Sequence, residues 1–318
     1  MARRLEGRGE RRTNFGRRYL ACGIDGAFLL SPTPTHFLGI DGGATRCRAR
    51  LRDVGGALLA EAEGAAANVY VDFDAAIAVI DGVMASALQK ARLAGGESAI
   101  ALGLGLAGLS SDSDARRVEA RFSRFAHVRA ANDAMIACLG AHDGADGAIV
   151  ISGTGSAAMA RIKGRDTILG GRGFILGDDG SGARIGLDAL RAAAKAADGL
   201  GPSSAMSDAL LQRFGGVLAA VEWAHGAKPG DFGALAPVAL DHAERGDLLA
   251  LPIVGRAVAA IAALAQAARA LGAERVALVG GLGEALRPFF DDSLDDALLR
   301  PAHDPVEGAI ILSGGAHG

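Results

Sequence analysis

The stretch FLGIDGGATRCRARL, residues 37–51, has an apolar strand, a glycine turn and a second strand in which apolar and charged residues alternate. Asp41 ends the first strand, and Gly42 and Gly43 allow the backbone to approach an anion without an intervening Cβ atom. The N–H groups of such a turn can surround a phosphate oxygen, and the Thr45 hydroxyl adds a donor. A carboxylate beside phosphate needs a cation, which Mg²⁺ held by Asp41 through water would provide. The stretch therefore predicts a phosphate-binding turn, although Asp-Gly-Gly is also common in ordinary hairpins.

A second turn with the same layout lies in GAIVISGTGSAAMARI, residues 147–162. An apolar strand leads into a turn of glycines and hydroxyls, a second strand returns, and RDTILGG, residues 165–171, supplies a third, as GGALLAEAEG, residues 55–64, does after the first segment. The candidate phosphate-binding residues of this turn are Gly153, Thr154, Gly155 and Ser156. Two such turns in two related lobes could hold one polyphosphate between them. Neither turn has the lysine of a Walker loop, and neither leads directly into a helix as a dinucleotide-binding fingerprint does.

The rest of the chain alternates strands with helices, so the predicted fold class is α/β. Helical spacing of apolar residues covers 72–93, 112–125, 181–197, 202–272 and 304–312, and continuous apolar runs cover 98–108 and 274–281. A length of 318 residues favours two domains. We therefore expect a cleft between two lobes.

The segment AHVRAANDAMIACLG, residues 126–140, carries a candidate base. A strand is expected to end near Ala130, and Asn132-Asp133 begins a helix. Because a helix N-terminus stabilises an anion, Asp133 is expected to be ionised near neutral pH and able to accept a hydroxyl proton. Asn and Asp more commonly serve only as helix caps at this position. The two phosphate turns favour the functional interpretation.

Two glycine-rich segments offer further candidate binding residues. In GGRGFILGDDGSGARIG, residues 170–186, the glycines allow tight loops, and the carboxylates of Asp178 and Asp179 could accept hydrogen bonds from hydroxyls. The alternative is a flexible loop that Ser181 caps into the next helix. Gly280 and Gly281 follow the strand VALV and could admit a flat ring or a ribose, or could only end a core strand.

Composition and charge argue against several classes of protein. The formal net charge is −3, but residues 1–36 carry seven Arg against three acidic residues, which leaves about −7 on the rest of the chain. Nucleic-acid binders usually carry a basic face on their folded part, so no nucleic-acid partner is expected. The cysteines, Cys22, Cys47 and Cys138, lack the paired spacing of a disulfide framework or a metal site and fit a reducing cytoplasm. No apolar run approaches the ~18–20 residues that a membrane-spanning helix needs.

In residues 1–35 the apolar residues follow neither the helical spacing nor the alternation of a strand. We interpret them as a disordered basic leader, or as the product of a start codon placed too early. A signal peptide is not favoured, because the apolar stretch 19–30 is interrupted by two glycines and an aspartate.

Five of these segments, in this order and spacing, resemble the BadF/BadG/BcrA/BcrD ATPase family of the actin/hexokinase superfamily, and most closely its N-acetylglucosamine and glucosamine kinases. The resemblance covers residues 36–313. It implies two ribonuclease H-like lobes of the actin/hexokinase type with ATP in the interlobe cleft. One lobe would comprise residues 36–143 and the closing helix in 304–318, and the other residues 144–303.

The resemblance also implies site residues. The first phosphate motif is matched by Asp41, Gly42, Gly43 and Thr45, the second by Gly153, Thr154, Gly155 and Ser156, and the adenosine motif by Gly280 and Gly281. The sugar-binding positions are matched by Asn68, Asp133, Gly171, Arg172, Gly173 and Asp178, with Asp133 as the catalytic aspartate. Arg172 stands where the family often has Trp, and Arg184 where it often has an aromatic residue.

The function implied is in-line transfer of a phosphoryl group from MgATP to the 6-hydroxyl of an amino sugar, by a cytoplasmic enzyme for which the family favours a homodimer. The sequence does not separate glucosamine from N-acetylglucosamine, N-acetylmuramic acid or glucose. Two alternatives are an ATPase of the same family that drives a partner protein and a sugar-responsive regulator. Relatives that hold an iron-sulfur cluster carry cysteines at other positions, and residues 1–36 are too short for a DNA-binding domain.

Overall fold

The first sheet is built around the hairpin that the sequence predicts. A computed structural model describes residues 33–43 and 45–315, so the expected leader over 1–35 lies almost wholly outside the described residues. The sheet has the order β3-β2-β1-β4-β5. Its strands are β1 (His36–Gly42), β2 (Cys47–Asp53), β3 (Leu58–Gly64), β4 (Ile100–Leu106) and β5 (His127–Asn132). Strand β1 pairs antiparallel with β2 and parallel with β4, so the first turn lies where β1 passes to its hairpin partner.

A second sheet repeats this plan. Its order is β8-β7-β6-β9, and its strands are β6 (Gly147–Ser152), β7 (Ser156–Ile162), β8 (Arg165–Gly170) and β9 (Val276–Val279). The strands β6, β7 and β8 form an antiparallel meander, and β9 pairs parallel with β6 on its other side, as β4 does with β1. The β1–β2 turn and the β6–β7 turn therefore occupy equivalent places in the two sheets. The internal repeat is visible in the topology.

Thirteen helices are present among the described residues. They are α1 (Phe73–Lys90), α2 (Asp112–Arg121), α3 (Asp133–Ala141), α4 (Gly173–Leu176), α5 (Gly182–Ala197), α6 (Ala205–Phe214), α7 (Val217–Gly226), α8 (Pro229–Gly233), α9 (Ala236–Glu244), α10 (Ala250–Ala270), α11 (Gly281–Leu286), α12 (Asp292–Ala297) and α13 (Pro305–Leu312). Two 3₁₀ turns cover Glu97–Ala99 and Arg287–Phe289.

The helical stretch expected over 202–272 is divided into five helices. Gly215 and Gly216 have φ values of 79° and 121°, which end α6, and Gly246 at φ 80° separates α9 from α10. Two boundaries also differ from expectation, because α2 ends at Arg121 and β5 continues to Asn132. The short helix α4 lies in a segment that the glycines predicted to be loop.

The helix α10 corrects one expectation from the sequence. It has 21 residues and a mean hydropathy of 1.6, so by length and composition it could cross a membrane, contrary to the prediction that no apolar run is long enough. Its many alanines make it apolar without bulky side chains. One face of α10, with Ile253, Val254 and Ile261, is buried in the hydrophobic core of the second sheet. Of its most apolar stretch 33% is buried, so α10 packs on this core along one face.

The helices α3 and α13 pack with their backbones almost in contact. A Cβ atom at Gly308 of α13 would lie 1.7 Å from the carbonyl oxygen of Ile136 in α3, and one at Gly140 would lie 2.4 Å from the carbonyl oxygen of Asp304. On its other side α13 lies against the first sheet, where a Cβ at Gly103 would be 2.0 Å from the oxygen of Ala309. These glycines let α13 pack closely between α3 and the first sheet.

The contact between α3 and α13 gives a stability prediction. Gly308→Ala should lower the melting temperature by several degrees, because the added methyl group overlaps a backbone oxygen and overpacking costs about 1–3 kcal/mol or more. The matched control is Gly82→Ala in α1, where a Cβ meets nothing within 4 Å. That change should stabilise the helix by about 0.5–1 kcal/mol. Thermal unfolding followed by circular dichroism measures both, and equal shifts in the two variants would contradict the described packing.

Candidate active site

The first turn is closed by its own backbone. The Gly43 N–H donates to the carbonyl oxygen of Arg46 at 2.9 Å, and the Gly43 carbonyl accepts from the N–H of Ala67 at 3.0 Å. Asp41 is the cross-strand partner of Arg48, and the Arg48 Nη2 donates to the Asp41 Oδ2 at 2.8 Å. The Asp41 carboxylate is therefore held at the base of the turn, next to the glycines predicted to admit phosphate.

Asn68 lies beside this turn, one residue after Ala67. Its Oδ1 accepts the N–H groups of Tyr70 at 3.0 Å and Val71 at 3.3 Å. Because the oxygen is occupied by backbone donors, the Nδ2 amide is the group with which Asn68 could contact a ligand. A Cβ at Gly108 would lie 2.4 Å from the Asn68 Oδ1, so the glycine at that position is required by the close approach of this side chain.

Asp133 is the first residue of α3, but it is not the cap. The Oδ1 of Asn132 accepts the N–H of Met135 at 2.7 Å and so caps the helix, whereas Asp133 accepts only the adjacent Ala134 N–H at 3.0 Å. The more common explanation for an Asp at this position, helix capping, therefore applies to Asn132. Asp133 is exposed to water.

Surrounding groups shift the pKa of Asp133. Although water reaches the carboxyl, protein atoms surround it on enough sides that desolvation raises its pKa from the ordinary value of 3.8, and the negative charge of Asp41 raises it further. The Ala134 N–H acts in the opposite direction without cancelling these two effects. The shift is thus opposite in sign to the one that the helix N-terminus alone would produce. It also shows that Asp41 and Asp133 are close enough to interact.

The second turn packs against the N-terminus of α5. The Gly153 N–H donates to the carbonyl of Gly155 at 3.0 Å, and the Gly153 carbonyl accepts the N–H of Gly182 at 2.8 Å. Thr154 is exposed at the tip of the turn. Ser156 is only 5% exposed, and its Oγ accepts the Gly180 N–H at 3.2 Å. The accessible hydroxyl of this turn is therefore that of Thr154, while Ser156 joins the turn to the following loop.

The loop after β8 has the left-handed backbone that glycine favours. Gly171 and Gly173 have φ values of 63° and 81°, and Asp178 adopts φ 62° although it is not a glycine. The Asp178 Oδ2 lies 3.1 Å from the position that a Cβ at Gly155 would take, so this loop and the second turn are in contact. Arg172 and Asp178 also line a cavity of about 340 Å³ against α10, which Asn68 and Asp133 do not line.

Gly280 also adjoins the second turn. It has φ 99°, and a Cβ there would lie 2.3 Å from the carbonyl oxygen of Ser152, the last residue of β6. A Cβ at Gly281, in contrast, would meet nothing within 4 Å, so open space lies beside the start of α11. Backbone access for a ligand, as the sequence predicts, is thus available at Gly281, whereas Gly280 is needed for packing.

The predicted residues fall into two groups that α3 connects. The first group is Asp41, Gly42, Gly43, Thr45, Asn68 and Asp133, around the carboxyl edge of the first sheet. The second is Gly153, Thr154, Gly155, Ser156, Gly171, Arg172, Gly173, Asp178, Gly280 and Gly281, at the corresponding edge of the second sheet. From Asp133 onward, α3 packs through Ala137, Cys138 and Ala141 on residues of the second sheet. The helix α3 thus begins at the first group and packs on the sheet that carries the second group.

Comparison with known proteins identifies the family. The sequence profile described as the BadF/BadG/BcrA/BcrD ATPase family matches residues 38–313, well over half of the chain. The chain belongs to this family. As a member of the BadF/BadG/BcrA/BcrD ATPases it uses ATP, and the resemblance seen in the sequence is confirmed.

Several proteins similar to this chain are named amino sugar kinases. The chain is 33% identical over 281 residues to the glucosamine kinase GspK of Vibrio cholerae, covering 88% of this chain and 96% of that protein. It is 29% identical over 232 residues to an N-acetyl-D-glucosamine kinase of Dictyostelium discoideum, covering 66% and 72%. A solved structure from Chromobacterium violaceum, provisionally named an N-acetylglucosamine kinase, has a TM-score of 0.81 and 35% identity and covers 89% of this chain and 100% of that one. The predicted fold of the actin/hexokinase-like sugar kinases is confirmed.

The residues present fit a Mg²⁺ ion that arrives with ATP. The described part of the chain has no group of three or more His, Cys, Asp or Glu side chains placed to hold a metal. Mg²⁺ at phosphate sites keeps several waters and uses only one or two carboxylates. Asp41 and the nearby Asp133 are two such carboxylates. Asp41 is therefore a residue that could hold the ion through water.

Arg48 and Asp304 were missed by sequence reasoning. Arg48 contacts Asp41, and its Nη1 lies 3.4 Å from the Oδ2 of Asp304, the N-cap of α13. The signal for Arg48 was present, because alternation in RCRARL places it on the same face as Asp41. The pairing with Asp304 joins residues 256 positions apart, and no local pattern predicts it.

Proposed function

We propose that this chain transfers the γ-phosphoryl group of ATP to the 6-hydroxyl of an amino sugar, glucosamine or N-acetylglucosamine. Family membership and the relatedness to glucosamine and N-acetylglucosamine kinases support an amino sugar as the acceptor. The single observation that carries the mechanism is the placement of Asp133. It begins α3 without capping it, is open to water, and lies close enough to Asp41 for its pKa to respond.

Asp133 is the proposed base. Its carboxylate would accept the proton of the 6-hydroxyl as the bond from that oxygen to the γ-phosphorus forms. The bond between the γ-phosphorus and the oxygen that bridges it to the β-phosphate breaks, and ADP leaves with the electron pair. A raised pKa makes the ionised carboxylate a stronger base, which suits proton removal from a hydroxyl.

The two glycine turns are the proposed phosphate sites. The first turn, with the exposed Thr45 hydroxyl, would contact one end of the polyphosphate, and the second turn, with the exposed Thr154 hydroxyl, the other. When bound, Mg²⁺ supplies positive charge that neutralises the phosphate oxygens. Asp41 would hold it, and the open space beside Gly281 would take the adenosine.

The proposed sugar contacts come from both groups. Asn68 would donate its Nδ2 amide to a sugar hydroxyl, because its Oδ1 is already occupied. Asp178 would accept hydrogen bonds from hydroxyls, and the backbone at Gly171 and Gly173 would allow the sugar to approach. Closure of a lobe formed by 36–143 and 304–315 over a lobe formed by 144–303 would exclude water from the transfer.

A coupled assay of ADP release tests this function. We expect rapid release with at least one of glucosamine and N-acetylglucosamine, and the rates with N-acetylmuramic acid and glucose measure how strongly the site selects the substituents of the sugar. In the absence of sugar, release should be close to background. ADP release that proceeds equally without sugar would favour an ATPase that drives a partner and would contradict the proposal. Tight sugar binding without turnover would favour a regulator.

A further inference from the structure

A row of arginines on β2 faces α13. Residues 48, 50 and 52 project from the same side of the strand, opposite the buried residues Cys47, Ala49 and Leu51. Their partners are acidic residues at the N-terminus of α13. The contacts are Arg48 to Asp304, Arg50 to Asp304 and Glu307, and Arg52 to Glu307. This row of ion pairs ends at Asp41, through Arg48.

Arg50 holds Asp304 independently of Arg48. The two η-nitrogens of Arg50 reach both oxygens of Asp304 at 2.8 and 3.0 Å, which is a bidentate pair. Asp304 also caps α13 by accepting the Glu307 N–H at 3.0 Å. Asp304 is therefore neutralised and immobilised without Arg48.

Arg48 makes its closer contact with Asp41. The Nη2–Oδ2 distance to Asp41 is 2.8 Å, while the Nη1–Oδ2 distance to Asp304 is 3.4 Å. The Arg48 side chain is 23% exposed, and its Nε is buried without a hydrogen-bond partner. Leaving this buried donor unpaired is unfavourable, and the contacts that the guanidinium does make are those of its two η-nitrogens. Its orientation is set by the two carboxylates.

We propose that Arg48 is the positioning residue that holds the Asp41 carboxylate for the Mg²⁺ of bound ATP, with Asp304 at the N-cap of α13 as its fixed anchor. The inference rests on the function proposed above. Arg48 binds one oxygen of Asp41 and so restricts the rotation of the carboxylate before the nucleotide arrives. The anchor is rigid because Arg50 and the helix cap hold Asp304 from other directions. Arg48 thus links the first phosphate turn to α13 without touching the nucleotide.

The test compares ATP binding by calorimetry in Mg²⁺ and in EDTA. For the unaltered chain ATP should bind more tightly with Mg²⁺. Arg48→Met should reduce the ratio of the two affinities by about tenfold, because a misplaced ligand loses most of its advantage. Binding in EDTA should change little. Half-saturation of activity by Mg²⁺ should rise by a similar factor.

The matched control is Arg52→Met, on the same strand and face and with 18% exposure. It removes a partner of the buried Glu307, so it should lower the melting temperature at least as much as Arg48→Met, yet leave the Mg²⁺ ratio unchanged. Arg48→Lys keeps a cation that can reach one carboxylate and should recover most of the ratio. If Arg48→Met fails to fold, Arg48→Gln replaces it: a reduced Mg²⁺ ratio in Arg48→Gln beside a full ratio in Arg52→Met supports the proposal, and a full ratio in Arg48→Gln overturns it.

The outcomes separate this inference from the function on which it rests. If the unaltered chain binds MgATP and phosphorylates an amino sugar, while Arg48→Met keeps the full Mg²⁺ ratio, the positioning role is wrong and the function stands. If Arg48→Met and Arg52→Met reduce the ratio equally, Arg48 acts only through fold stability and the inference is also wrong. If the unaltered chain binds no ATP, both fail.

Discussion

Asp133→Asn is expected to lower kcat by about 10³-fold, because a positioned general base contributes about 10²–10⁴ and an amide cannot accept the hydroxyl proton. The affinity for ATP should stay within about threefold of the unaltered value, since the residue acts on the acceptor hydroxyl rather than on the nucleotide. Steady-state kinetics with glucosamine or N-acetylglucosamine and calorimetry with ATP measure the two quantities.

The control for this prediction is Asp112→Asn. Asp112 is also the first residue of a helix whose cap, Ser111, immediately precedes it, but it lies in α2 and belongs to no proposed site. The substitution has the same chemistry and the same helical position. It should leave kcat unchanged. A mutant at Asp133 with near-normal turnover, or an equal loss at Asp112, would refute the assignment of the base.

The stability of Asp133→Asn follows from the sign of the pKa shift. Desolvation and Asp41 raise the folded-state pKa of Asp133 above its unfolded value, so protonation favours the folded state at low pH. That contribution is present below the unfolded pKa and is lost as the pH rises through the folded pKa. Above the folded-state pKa the ionised carboxylate is therefore unfavourable for folding, and the neutral amide should leave the melting temperature equal or higher. Loss of activity without loss of stability excludes misfolding as its cause.

Gly280→Ala is expected to have the second large effect. At φ 99° an alanine is strained, and its methyl group would lie 2.3 Å from the carbonyl oxygen of Ser152. Strain and overlap together should cost about 3–5 kcal/mol, or a fall of about 10 °C in melting temperature. Because Ser152 leads directly into the second turn, displacement of β6 should also weaken ATP binding by tenfold or more. A tenfold loss of affinity corresponds to about 1.4 kcal/mol of binding free energy.

The adjacent glycine is the control. Gly281→Ala places a methyl group in open space at a helical position, so the melting temperature without ligand should not fall. If adenosine occupies that space, Gly281→Ala should weaken ATP binding while the fold is intact. Equal melting temperatures for Gly280→Ala and the unaltered chain would contradict the close contact between β9 and β6.

Much of the fold could be read from short-range pattern. Alternation in β2, the unbroken apolar run of β4 and the turn glycines each reflect a local physical requirement, and all three strands of both meanders were predicted. Helix ends were less certain. Within 202–272, Gly215 and Gly216 end α6 and Gly246 separates α9 from α10, and each adopts the left-handed backbone that glycine favours. The helical spacing of apolar residues continues across these breaks and so does not predict them.

The parts of the site that sequence could not give depend on distant contacts. Ser156 and Thr154 look equivalent in a glycine and hydroxyl turn, and only the fold shows that Ser156 bonds to Gly180 while Thr154 is exposed. The pKa of Asp133 was expected to follow the helix N-terminus, and desolvation together with the charge of Asp41 reversed the sign. Both the hydrogen bond of Ser156 and the pKa shift of Asp133 arise from contacts between residues that lie far apart in the chain.

The most direct test of the central claim is nuclear magnetic resonance of the product formed from ATP and glucosamine, or from N-acetylglucosamine if that is the faster substrate. The account predicts one sugar phosphate for each ADP released, with the phosphorus coupled to the protons on carbon 6. A phosphate on carbon 1, or ADP accompanied by inorganic phosphate and unchanged sugar, would contradict it.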